Sequence, residues 1–388
     1  MTFPNSPNAS TQAPTIIITA PPRLSAIRVA LSILAILFGL FLGLLVLVVI
    51  GIETGPVALM LGFITATIPV PLYVILVLWI DRYEAEPLWM LATAFFWGAL
   101  VATFFAFLLN TTSQGVVGAL SNANAGEAFA AVISAPIVEE TGKAFILLIF
   151  FFWKKDEFDG VVDGIVYASM AALGFAMTEN ILYYGKAAAA GGGGALTLTL
   201  IIRGFFAPFS HPLFTSLTGI GLGLARQSTN IAVKLITPVI GLLMAIFMHS
   251  IWNGSAVFGG GGVFVLTYIL VMVPAFIIML VVISFALRRE GRVVREFLVV
   301  DLERGVLTRE EYDQLGSIIG RMGSSFRAFS QTGVKGWRSR MRFNQLASEL
   351  AFHRSRVSRG VHSHEEALAR EEAYLQALQA LINELRSR

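Results

Sequence analysis

Glu139, Glu140 and Lys143 sit near the middle of an otherwise apolar run, residues 128–153. Charged groups at that depth cost several kcal/mol each unless they find partners, so they mark a working site rather than a packing surface. Other polar groups recur in the neighbouring apolar runs: Glu179 with Asn180, then Arg203 and His211, then His249 with Asn253. On a helix Lys143 lies four residues from Glu139 and three from Glu140, so its amine can partner either. The two adjacent glutamates point about 100° apart and cannot both face one atom comfortably. One is expected to activate water while the other is held by Lys143 or a neighbouring helix. His211 and Thr215, and His249 and Asn253, each share a helix face. Arg203 is the natural structural partner of Glu179, whereas Asp163 falls near the inner end of its run, where an interfacial role suffices.

Carboxylates beside two imidazoles permit two amide-hydrolysing chemistries. In one, His211, His249 and a glutamate hold Zn²⁺ with an open position while a second glutamate takes the proton from bound water. In the other no metal binds; a glutamate deprotonates water and histidine or Asn253 stabilises the oxyanion. Neither uses a soluble-protease signature, since the chain has no His-Glu-x-x-His and no Gly-x-Ser-x-Gly. The same groups could instead carry ions or protons in a transporter, and the tail could make the chain a membrane scaffold. Ion flux without peptide release would favour the transporter; loss of function on deleting the tail, but not on replacing Glu139, would favour the scaffold.

These groups need a membrane-embedded helical frame, and the composition supplies one. Of 388 residues 56% are hydrophobic and 14% charged, with a mean hydropathy of +0.73, outside the range of soluble domains. The apolar runs predict an all-α polytopic protein of about eight transmembrane helices, at 29–50, 57–80, 88–109, 128–153, 161–184, 196–225, 231–252 and 263–287. Pro69 and Pro71 should bend the second, Asn110 to Glu127 reads as a loop, and Ala187 to Gly194 as a flexible linker. Glycines 160, 164 and 174 suit close helix approach.

Three parts follow: a disordered Thr/Pro-rich lead (1–28), a transmembrane protease-like domain (29–287) and a basic helical tail (288–388). Eighteen of the 28 Lys and Arg lie from Arg288 onward. Lys and Arg between the runs cluster on alternate loops, which places both termini in the cytoplasm. In the tail, Thr308 with Glu311 and Ser363 with Glu366 have capping-box spacing. Leu368, Ala369, Leu375, Leu378 and Ile382 outline an amphipathic helix. The tail reads as a cytoplasmic helical hairpin or dimerisation element; Lys335, Arg338, Arg340 and Arg342, interleaved with Trp337 and Phe343, could instead touch anionic lipid. His353, His362 and His364 read as solvated. With no cysteine, disulfides and thiolate ligands are excluded.

The motifs also resemble a known family. Glu139-Glu140-x-x-Lys143 is similar to the double-glutamate motif of the PrsW intramembrane proteases, and Phe175-x-x-x-Glu179-Asn180 to their second motif. Asp159 to Tyr167, His211 to Thr215, His249 to Asn253 and Asp81 to Pro87 resemble further family segments, so the likeness covers Asp81 to Gly254. The related CAAX prenyl endopeptidases place histidine where Glu179 stands. The resemblance implies a protease in the cell membrane acting on a membrane-protein or peptide substrate, with an anti-sigma factor as a candidate. Glu139 and Glu140 would then include the catalytic base, completed by Glu179, His211 and His249, with Asn253 beside them and Lys143, Arg203, Asp163 and Asn180 in support. His211, His249 and Glu179 are the metal candidates; the resemblance leaves open whether zinc is bound. No nucleic-acid partner is expected. Pro212, directly after His211, and the tail depart from the family pattern.

Overall fold

A computed structural model describes residues 26–359 and 364–386, and every regular element among them is helical. Six helical stretches are long and apolar enough to cross a membrane: Val29–Thr54, Pro56–Ile80, Leu88–Leu120, Val161–Gln227, Ile231–Phe258 and Gly260–Glu303. This corrects the expected count of about eight. The run at 128–153 carries three ionisable groups in its middle and so falls out of the apolar set. The runs at 161–184 and 196–225 fall within one such stretch, because helix extends through most of the expected linker, with breaks at Gly192 and at residues 207–209. The Ala-rich part of that supposed linker is among the best helix-forming sequence there is.

In chain order, α1 (Ala26–Thr54) ends before Gly55. The second stretch breaks at Ile68–Pro69 into α2 (Pro56–Thr67) and α3 (Val70–Ile80), the bend that its prolines impose. α4 (Leu88–Phe96) continues through a π-helical turn, Trp97–Ala102, into α5 (Thr103–Leu120). Then come α6 (Ala123–Phe129) and a second π-helical turn, Ala130–Ser134. The segment expected to be a loop from Asn110 to Glu127 is therefore mostly helix. The site-bearing helices follow: α7 (Ala135–Trp153), α8 (Val161–Thr199), a π-helical turn at Leu200–Phe206, α9 (Ser210–Gln227) and α10 (Ile231–Phe258). α11 (Gly260–Thr267) and α12 (Val273–Glu303) lead to the tail helices α13 (Arg309–Leu315), α14 (Ile318–Ser358) and α15 (His364–Arg386).

The Val161–Gln227 run is the axis of the bundle, with 89% of its most apolar window buried, against 11–39% for the others. It folds back on itself. Gly192 has φ +60°, and beyond it Arg203 returns to Glu179 and Gly219 to Gly164. A Cβ on either of those two glycines would fall 2.1 Å from the other's carbonyl oxygen, so only glycine permits this approach. That contact places the first turn of α9 beside the middle of α8, and the site is built there.

α14 reverses in the same way. A straight helix would hold Arg321 and Ser348 roughly 40 Å apart, yet their side chains are hydrogen-bonded. Asn344 donates to Ser325 Oγ at 3.2 Å. The chain turns at Gly333 (φ +66°), giving two antiparallel legs. The capping box at Thr308 and Glu311 forms; that at Ser363 lies outside the described residues. α15 buries Ala367, Leu378 and Ile382, while Leu368 is exposed. His353 is buried rather than solvated, its Nε2 2.9 Å from the Ala367 carbonyl.

Candidate active site

α7 presents Glu139, Glu140 and Lys143 on its second and third turns, all three buried. The 100° between adjacent residues sends the two carboxylates to different surroundings. Glu140 Oε1 receives Lys143 Nζ at 2.6 Å and lies 2.9 Å from His249 Nδ1, while Oε2 accepts from Thr215 at 2.8 Å. Both oxygens of Glu140 are therefore engaged. Glu139 is different. Its Oε1 has one long contact, from Asn110 Nδ2 at 3.5 Å. Its Oε2 has no hydrogen-bond partner among the described residues and stands 3.9 Å from His249 Nε2.

The imidazoles come from α9 and α10. His211 is in the first turn of α9, so Pro212 beside it removes an N–H that has no partner within the helix anyway. The departure from the family pattern therefore does not distort the ligand position. His211 Nε2 lies 2.9 Å from Glu179 Oε2, and Nδ1 lies 3.3 Å from Lys143 Nζ. Phe214 stacks on His249 with ring centroids 5.1 Å apart. Each imidazole thus gives one nitrogen to a carboxylate, which fixes its tautomer and ring plane and leaves the other nitrogen as an acceptor.

Glu179 sits on α8 between His211 and Arg203, whose guanidinium donates to Glu179 Oε2 at 2.5 Å and to Asn180 Oδ1 at 2.6 Å. The π-helical turn Leu200–Phe206 aims Arg203 inward; such turns are often found at functional sites. Asn253 donates to the Ala131 carbonyl at 2.8 Å, which ties α10 to the π-helical turn before α7. Asp163 lies elsewhere: its Oδ2 accepts from the Asp159 and Gly160 amides and caps α8 at its far end. Two contributors were not singled out by sequence: Asn110 and Ser134, hydrogen-bonded to each other at 2.8 Å, with Asn110 reaching Glu139. A polar residue within the apolar pattern of α5 was the available signal.

Glu139, His211, Glu179, Arg203 and Asn253 all line one cavity of about 1010 Å³, walled also by Ile50, Tyr73 and Phe175. One donor atom from each of Glu139, His211 and His249 lies within 4.8 Å of the others. That set fits a metal. It offers one carboxylate and two imidazoles, the donors zinc takes in catalytic sites. The unpartnered Glu139 oxygen is the kind of buried polar atom a cation would satisfy. The trio includes Glu139, whereas Glu179 is engaged with Arg203 and His211.

Similarity to known proteins falls on these same elements. A profile of the PrsW family intramembrane metalloproteases matches residues 86–279, half of the chain. Protease PrsW of Oceanobacillus iheyensis is 28% identical over 235 residues, which are 59% of this chain and 96% of that relative. Protease PrsW of Geobacillus kaustophilus is 36% identical over 149 residues, 38% of this chain and 58% of the relative. For Protease PrsW of Bacillus subtilis the figures are 30% over 177 residues, 45% and 71%. No solved structure matches. The likeness spans α4 to the start of α12, the elements that enclose the buried carboxylates and histidines, and the chain belongs to the PrsW family of intramembrane metalloproteases.

Proposed function

We propose that the chain hydrolyses a peptide bond of a membrane protein with water activated at Glu139, Glu140 serving to position His249 and Lys143. The observation that carries this reading is the asymmetry of the adjacent pair. Glu140 is engaged at both oxygens by Lys143, Thr215 and His249, whereas Glu139 turns an unpartnered oxygen toward His249 beside the cavity. A general base needs a free lone pair within reach of water. Glu139 is the freer of the two, with one oxygen that accepts nothing, whereas both Glu140 oxygens are engaged.

If His211, His249 and one oxygen of Glu139 held zinc, the metal would supply Lewis acidity and lower the pKa of water, and the second Glu139 oxygen would remain to take the proton. The side chains do the rest. Glu139 takes the water proton and returns it to the departing amine. The Asn253 amide has two N–H donors; one is spent on Ala131, and the other is available to an oxyanion. Arg203 and Glu179 hold His211 from behind, as Glu140 holds His249. A helical substrate must unwind locally, because its carbonyls are otherwise occupied; the cavity has room for a few extended residues.

The substrate class that fits is a single-span membrane protein, an anti-sigma factor among the candidates. Arg226 reaches the Phe158 carbonyl and Arg289 bonds Gln227, so basic residues gather at the tail-bearing end of the bundle. We assign that end, both termini and residues 288–388 to the cytoplasmic side of the cell membrane, by the positive-inside rule. Substrate capture tests the reading. Glu139→Gln protein purified from cells should retain full-length membrane proteins that lose a fragment when wild type is restored. Retained proteins that wild type leaves intact would refute it.

A further inference from the structure

The tail beyond α12 lies outside the family match, and nearly all of the Oceanobacillus relative fits within 59% of this chain. What the added residues do is therefore a separate question from proteolysis. Two observations bear on it: where the α14 hairpin sits, and what it exposes.

Its position is set by contacts to the short segments that join α3 to α4 and α7 to α8. Arg321 donates to the Arg82 carbonyl at 2.9 Å and lies 4.7 Å over the Tyr83 ring. On the second leg Arg356 pairs with Glu84, and Arg359 with Asp159 at 2.9 Å. Both segments lie at the membrane boundary, which an aromatic and basic belt marks. Trp79, Trp89 and Trp153 are exposed at the ends of α3, α4 and α7, with Arg82 4.1 Å over Trp79 and Lys154 5.1 Å over Trp89. Ser348 meets Arg321 opposite residue 82 and Arg359 meets residue 159, about 16 Å along one leg at helical rise. The second leg thus meets these segments directly at Arg356 and Arg359 and, through Arg321, at Ser348.

The exposed face there is apolar. Ile319, Met322, Phe326 and Phe329 recur at i, i+3, i+7 and i+10 and are 83, 49, 71 and 47% exposed. After the turn Val334, Trp337 and Met341 repeat the pattern, at 52, 41 and 47%. In each leg the stripe is rotated by about 120–130° in the same sense from the buried face. In an antiparallel pair that puts both stripes on one side. Beside them Lys335, Arg338 and Arg342 are exposed and make no ion pair among the described residues. Arg340 differs, being turned inward to Gln314 Oε1 at 2.7 Å, and Phe343 is in the core.

We propose that this hairpin rests on the cytoplasmic bilayer surface, its two apolar stripes entering the headgroup–acyl boundary and Lys335, Arg338 and Arg342 pairing with anionic lipid. Apolar burial beside basic side chains is what holds an interfacial helix to anionic lipid. Each basic residue at such a surface raises occupancy about fivefold.

The chain has no cysteine, so single spin labels can be placed without background. Full-length Phe326→Cys, Trp337→Cys and Gln331→Cys proteins would be reconstituted in nanodiscs of phosphatidylcholine alone or mixed with phosphatidylglycerol. Collision with oxygen and with a water-soluble nickel chelate would then be measured. Labels at 326 and 337 should favour oxygen in the anionic discs, and the label at 331, on a polar face, should favour nickel. Lys335→Glu, Arg338→Glu and Arg342→Glu together should abolish the difference between lipids. Nickel access at 326 and 337 in both disc types overturns the proposal. So does dipolar coupling between labels on two copies, which would mean that self-association covers the stripe; an unchanged lipid difference in the charge-reversed protein would overturn the role assigned to the three basic residues.

Discussion

Glu140→Gln should unfold the site, whereas Glu139→Gln should leave it standing. Glu140 and Lys143 are both fully buried and 2.6 Å apart. Glutamine keeps the shape of Glu140 but strands the Lys143 amine, whose other polar neighbour is His211 Nδ1 at 3.3 Å. Removing one partner of a buried pair costs about 3–5 kcal/mol, or on the order of 6–20 °C in melting temperature for a mid-sized domain. Glu139 Oε2 makes no hydrogen bond, so its loss should stay within about 1 kcal/mol. Adding Lys143→Met to Glu140→Gln removes the stranded charge and should recover most of the loss, as contacting residues are non-additive. Scanning fluorimetry of the purified proteins in one detergent reads all four. A Glu140→Gln protein that melts with wild type, or a double variant no better than the single, would refute the division of labour between the glutamates.

Metal content should follow the donor trio: protein purified without chelator should carry near-stoichiometric zinc, and His249→Ala should lose most of it by mass spectrometry. Equal metal in the two would remove His249 from the ligand set. Gly164→Leu sets side-chain atoms against the Gly219 carbonyl, where even a Cβ would sit 2.1 Å away. Overpacking of about 1–3 kcal/mol or more should appear as aggregation in size exclusion; a monodisperse, active protein would contradict the close approach. In the segment between α3 and α4, burial raises the Asp81 and Glu86 carboxyls well above their ordinary values, with Asp163 adding to both. The folded state then holds more protons than the unfolded one above the ordinary carboxylate range. Stability should fall as pH rises through that window, and Asp81→Asn should flatten the dependence of melting temperature on pH between 5 and 8. An unchanged slope would mean that Asp81 does not contribute.

The site was more legible than the count of spans because the two rest on different physics. A buried charge needs a partner wherever it lies, so Glu139, Glu140, Lys143, His211 and His249 could be grouped before any geometry was known. Arg203 could likewise be paired with Glu179, as the structure has it. Helix boundaries depend on what surrounds an apolar run. Asn110, Thr111 and Thr112 read as a loop opening, but within α5 Asn110 is held by Ser134 and faces Glu139. The reversal at Gly192 lies within the Ala187 to Gly194 stretch read as a linker, whereas that at Gly333 was not placed, since glycine permits a left-handed turn without requiring one. The tail's basic cluster was visible, but only packing separates the inward Arg340 from the exposed Lys335, Arg338 and Arg342.

Cleavage of a single-span substrate in proteoliposomes, followed by mass spectrometry of the fragments, tests the central claim most directly. Wild type should release fragments from a cut within or beside the span. Glu139→Gln, folded and melting within a few degrees of wild type, should release none above the uncatalysed background. A Glu139→Gln protein that cuts at the wild-type rate would place the reacting carboxylate elsewhere and rule out Glu139 as the base.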